Sequence, residues 1–216
     1  GIRNIDWEAL TSFIHQNQSY LVIGDVGDND SARPQCCLYF VKEPRIGKTV
    51  SEGCVLPVSW MIEYTYEGGP RDCESLAVDM PGQRILLLSK RDKPPVLFEI
   101  PLFPLQQNRK ETASKIGAFT AIPPIAERDI RFNHHLQWGN QPTAMDISHS
   151  TRDLIILTYK TAYLYPFQDT LQTVWDLHQI PISLVLPVLR QAESLCFDSQ
   201  GSDVFVTSEK LPAPLI

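Results

Sequence analysis

The sequence predicts an all-β chain arranged as a β-propeller of four-stranded antiparallel blades, and three observations predict it. Short apolar runs recur without helical periodicity, an acidic residue opens each group of runs, and the groups return at intervals of roughly 45 to 70 residues. About four blades are expected in a single domain, over 1–66, 67–122, 123–180 and 181–216. The last group stops within its third run, so a piece of a five- or six-bladed ring, cut at both ends, is expected. At least one further blade, or strands from another segment or chain, would then cover the open sheet edges.

Each element follows from its residues. First strands are expected at Asp6–Leu10, Asp72–Asp79, Ala144–Ser148 and Ala192–Asp198, where an acid sits in a short apolar run. Second strands, apolar and ending in polar residues, are expected at Tyr20–Asp25, Arg84–Lys90, Asp153–Tyr159 and Asp203–Glu209. Third strands follow at Cys37–Val41, Val96–Ile100, Ala162–Tyr165 and Ala213–Ile216. Fourth strands are expected at Ser59–Tyr66, Lys115–Thr120 and Thr173–His178, where β-branched and aromatic residues alternate with polar ones. The 17 prolines fall mainly between these runs, as loops and edges require.

Composition removes several function classes. With 43% hydrophobic and 20% charged residues the chain is ordinary for a folded protein, which argues against disorder. A formal net charge of -6, without a basic stripe, argues against a nucleic-acid partner. No apolar run approaches the roughly 20 residues of a membrane-spanning helix. Five cysteines without a CxxC pair indicate neither a zinc ribbon nor a full disulfide framework. They read as small buried apolar residues, Cys37 and Cys196 especially, while one bridge involving Cys54 and Cys73 stays open for an exported protein. No Gly-x-Ser-x-Gly elbow, Walker loop or dinucleotide fingerprint occurs.

The chemistry-bearing residues are the repeated acids. First strands of a propeller line its central tunnel, so Glu8, Glu74, Asp146 and Glu193 are expected to converge there as a metal site. Converging carboxylates raise one another's pKa and call for protons, water or a cation, and calcium suits such an irregular oxygen set. Their alternative duty is to cap strand-end amides or bind tunnel water. The loop Gly24–Asp30 places Asp25, Asp28 and Asn29 as candidate oxygen ligands near the tunnel mouth, the alternative being a turn whose side chains bond their own backbone. Lys90, Arg91, Tyr159 and Glu209, at the ends of second strands, complete a mixed-charge ligand face, with Lys90 and Arg91 as anion contacts. Adjacent His134 and His135 cannot face one metal from a strand and read as structural.

The series Asp-Trp-Glu, Gly-Asp-Val-Gly-Asp-Asn, Arg-Asp-Cys-Glu-Ser-Leu, Leu-Ser-Lys-Arg, Thr-Ala-Met-Asp-Ile-Ser and Ala-Glu-Ser-Leu resembles a family of largely uncharacterised bacterial β-propeller proteins. The resemblance covers nearly the whole chain. It implies a fold, an additional unit before Asp-Trp-Glu and a periplasmic or secreted location, but no established activity. More distantly the chain is similar to phytase-like esterase and gluconolactonase-like propellers, some of which hold calcium. The expected function is therefore a module binding a cation, calcium, and a polar ligand or partner. A metal-assisted hydrolase of an ester, lactone or phosphoester and a protein-interaction scaffold are the alternatives.

Overall fold

Continuous apolar runs such as Ile85-Leu86-Leu87-Leu88 and Leu154-Ile155-Ile156-Leu157 demand burial on both faces of a strand, because successive side chains point to opposite sides. A computed structural model, which describes residues 2–44, 55–104, 110–123, 139–169, 175–187, 189, 191–209 and 211–216, shows how that demand is met. The described residues form fourteen strands: β1 (Trp7–His15), β2 (Gln18–Asp25), β3 (Cys36–Lys42), β4 (Val58–Tyr66), β5 (Cys73–Asp79), β6 (Arg84–Ser89), β7 (Val96–Pro101), β8 (Glu111–Ala118), β9 (Pro142–Ile147), β10 (Leu154–Thr158), β11 (Thr161–Tyr165), β12 (Ile182–Val185), β13 (Ala192–Phe197) and β14 (Val204–Ser208). No helix among them is long and apolar enough to cross a membrane.

The all-β class is as expected, but the division into four-stranded blades is not. β1 to β8 form one eight-stranded sheet in the order β1-β2-β3-β4-β8-β7-β6-β5, because Tyr64–Tyr66 pairs in parallel with Glu111–Ala113. This seam joins what the sequence presents as two separate units, and the edge strands β1 and β5 lie against each other, so the sheet nearly closes. A four-stranded sheet, β12-β11-β10-β9, and the two-stranded β13-β14 complete the architecture. The physical reason is the free edge of β4: its alternation of buried Ile62, Tyr64 and Tyr66 with polar residues describes its faces and is silent about which strand completes its edge.

Individual strands stand close to their expected places, with two further corrections. The fourth strand expected at Thr173–His178 is absent over its described part, 175–178, where Trp175 and Leu177 are buried from a turn; Ile182–Val185 pairs with β11 instead. Ala213–Ile216 is not a strand, although Ile216 exchanges two backbone hydrogen bonds with Val206 of β14. The hairpin between β1 and β2 is closed by Gln16 and Asn17, both at positive φ (50° and 61°), the conformation that a two-residue turn between twisted strands requires.

Alternation distributes the apolar side chains among three cores. Ile85 and Leu87 join Phe13, Val22, Leu38, Phe40 and Tyr64 in the first. Leu86 and Leu88 turn to the other side and meet Met145, Leu154, Ile156 and Tyr165 in the second. Ile155 and Leu157 then face Leu195 and Val206 in the third. Cys36, Cys37 and Cys73 are buried, consistent with their apolar reading; Cys196 is exposed, opposite Phe205 on the uncovered side of β13-β14, and Cys54 lies outside the described residues.

The loop leaving β2 is tied down by a buried ion pair. Asp25 is fully buried, accepts hydrogen bonds from the Ile5 and Asp6 amides at 3.3 and 3.0 Å, and meets Arg33 at 2.8 Å. Removing one partner of such a pair costs about 3–5 kcal/mol. Asp25→Ala is therefore expected to lower unfolding free energy in urea by that amount, while Asp30→Ala, exposed in the same loop, changes it by less than about 0.5 kcal/mol.

Candidate functional site

Four of the strand pairs carry a β-bulge at the corresponding place. In β1-β2 the register shifts between Trp7 and Ala9, in β5-β6 between Cys73 and Ser75, and in β13-β14 between Ala192 and Ser194. In β9-β10, Pro142 faces Thr158 and Ala144 faces Leu157. The extra residues are therefore Glu8, Glu74, Thr143 and Glu193. A bulge leaves its extra residue out of the ladder and re-aims its side chain, and here all four line one cleft of about 480 Å³ between β1, β5, β9 and β13.

The cleft has two characters. Trp7, Leu10, Leu21, Ile23, Leu76 and Met145 supply apolar walls. At one end Glu8, Glu74 and Glu193 gather with Thr143, Ser194, Thr207, Ser208 and Glu209 around a polar space of about 190 Å³. Glu8 is set in place partly by Gly27, whose backbone runs so close that an added Cβ would lie 2.4 Å from an Asp6 carboxylate oxygen and 2.7 Å from Glu8 Cγ.

Electrostatics at the polar end follow from this crowding. Glu8 is exposed on one side but walled by the cleft on the other, and its carboxyl is pushed up to about 8 by lost hydration, then by the Glu74 charge and by Asp6. Glu74 is also raised, first by burial and further by Asp72 and Glu193, although Lys90 forms an ion pair with it. Burial works against the Lys90 charge, yet Glu74 and Tyr159 more than offset it and raise the ammonium pKa. The Lys90 Nζ stands 5.3 Å from the centre of the Tyr159 ring. Thr143 is buried and donates to the Ala192 carbonyl at 2.7 Å, tying β9 to β13 behind the cleft.

Compared with known protein families and with curated proteins, the chain matches none.

Three of the four expected acids thus meet, and Asp146 does not join them. It is displaced along β9, where a carboxylate oxygen accepts the Phe197 amide at 2.8 Å. The residue equivalent to the glutamates is Thr143. Aligning the strands on their apolar residues, Glu8-Ala9-Leu10, Glu74-Ser75-Leu76 and Glu193-Ser194-Leu195 with Thr143-Ala144-Met145, finds it; aligning on acids does not. Among the described residues, no three His, Cys, Asp or Glu side chains are gathered closely enough to hold a metal ion.

The remaining candidates divide between cleft and scaffold. Glu209 lines the polar end, and Lys90, paired with Glu74 and lying over the Tyr159 ring, adjoins it. Asp28 accepts the Ala32 and Arg33 amides at 2.9 and 2.8 Å, and its own amide donates to Asp72, so it shapes the loop. Arg91 meets Asp72 at 2.6 Å and also donates to Asn29, which fastens the same loop to β5. Lys90 and Arg91, expected as anion contacts, are both in ion pairs with carboxylates of the chain. His134 and His135 lie outside the described residues.

The raised Glu8 pKa makes stability depend on pH. Between about pH 4.5 and 8 the folded chain holds a proton on Glu8 that the unfolded chain has released, so this group's contribution falls as pH rises through that window. Glu8→Gln is expected to leave the urea midpoint near that of the unaltered protein at pH 4 and to raise it at pH 9. Denaturation curves at the two pH values check this.

Proposed function

We propose that the chain is a binding module whose cleft takes a cation or a polar ligand bearing positive charge at Glu8, Glu74 and Glu193. The observation that carries this reading is the projection of three glutamates from three separate β-bulges into one cleft. Carboxylates so placed cost hydration and repel one another, and a ligand cation relieves both costs at once. Among inorganic cations calcium, which fills out its shell with water and tolerates irregular oxygen donors, asks least for converged carboxylates. Ser194 and Thr207 add hydroxyls for a polar group beside the charge.

Calorimetry and thermal melting on metal-stripped protein test the reading. Ligand at about 100 times its dissociation constant stabilises the folded state by about 2.7 kcal/mol. Calcium or a cationic ligand is expected to raise the midpoint, and Glu74→Gln and Glu193→Gln to abolish the rise. No shift with any cation would end the proposal.

A second reading, hydrolysis of an ester or phosphoester, is supported by one observation: a carboxyl that keeps its proton near neutrality, Glu8, stands by the ion-paired Glu74, as a general acid requires. Glu8→Gln is expected to reduce such a rate at least about a hundredfold in an ester and phosphoester screen.

A further inference from the structure

The cleft is far larger than its charged end. A bare metal ion makes no use of apolar walls, whereas Trp7, Leu21, Ile23, Leu76 and Met145 line the same cleft as the three glutamates. A volume of about 480 Å³ falls in the range of clefts that bury small organic molecules. Resting on the carboxylate reading above, we propose that the cleft binds an organic amine: an ammonium group seated among Glu8, Glu74 and Glu193, carried on a hydrocarbon or aromatic body that lies along the apolar walls.

Two features support this class of ligand. An ammonium donates in several directions, so carboxylates spread around a space of about 190 Å³ match it without the tight convergence a metal demands. The chain already places an ammonium at this end: Lys90 reaches Glu74 with its Nζ over the Tyr159 ring, an arrangement of carboxylate and aromatic partners for a primary amine. The titratable groups around Glu8 are Asp6 beside it, Glu74 from β5 and Lys90 beyond the end of β6, while Glu193 from β13 and Glu209 just past β14 share its polar space and Tyr159 lies against Lys90. An arriving cation favours the charged form of Glu8, so the amine should release a proton on binding near neutral pH.

Titration calorimetry on the full chain at pH 7, in two buffers of different ionisation enthalpy, tests the proposal. The probes are 2-phenylethylamine, its uncharged analogue 2-phenylethanol, and calcium. The amine is expected to bind at least about tenfold more tightly than the alcohol and to release a fraction of a proton. Glu8→Gln is expected to abolish the proton release, and Glu193→Gln to weaken the amine several-fold without changing the alcohol. Both variants are checked for an unaltered far-ultraviolet circular dichroism spectrum. Equal binding of amine and alcohol overturns the proposal. Calcium binding without amine binding overturns it while the carboxylate reading stands, and binding of neither overturns both.

Discussion

The structure depends on strands that are apolar on both faces. β6 sends Ile85 and Leu87 into one core and Leu86 and Leu88 into the next, and β10 does the same with Leu154 and Ile156 against Ile155 and Leu157. A strand of this kind is stable only between two packed layers. Two of them in one chain therefore commit it to three cores in succession. The inner strands β5, β9 and β13 are brought side by side as a consequence, with β1 against β5.

Where those inner strands meet, their ladders are interrupted. Each bulge leaves one residue outside the pairing, and the stacked layers aim these residues at a common space. The backbone around it is fixed by polar contacts that have structural duties. Asp25 with Arg33, Asp28 with its loop amides, and Asp72 with Arg91 hold the segment after β2 against β5, and Thr143 holds β9 to β13. Lys90 lies between the two roles, since its pair with Glu74 both stabilises a buried carboxylate and shapes the cleft's charged end. The acids that strengthen the scaffold are satisfied by amides and guanidinium groups. Those of the cleft, Glu8 and Glu74, sit where burial and like charge raise their pKa, as burial also does for Asp146 on β9.

Much of this was legible in the residues. Alternating and continuous apolar runs located most strands, and the Asp-Trp-Glu, Asp-Cys-Glu and Ala-Glu-Ser sequences pointed to three of the four bulged residues. Asp146 does not join them because the apolar Ala144-Met145 pair, and not the acid, sets the register. The densely acidic Gly24–Asp30 loop reads as a ligand site, yet its Asp25 and Asp28 carboxylates are taken up by amides and by Arg33, a residue eight positions beyond Asp25 whose reach no spacing rule describes.

The sequence by itself determined the all-β class and the places of most strands, because period-two burial and turn residues are local properties of the chain. Only the tertiary structure decided that β4 pairs with β8 to make one eight-stranded sheet, that Thr143 stands where a fourth acid was expected, and that apolar walls extend from the carboxylates. Edge pairing, bulge register and the shape of a cleft depend on partners far apart in the chain. Their energies belong to pairs of segments, and no single segment carries the record of its partner.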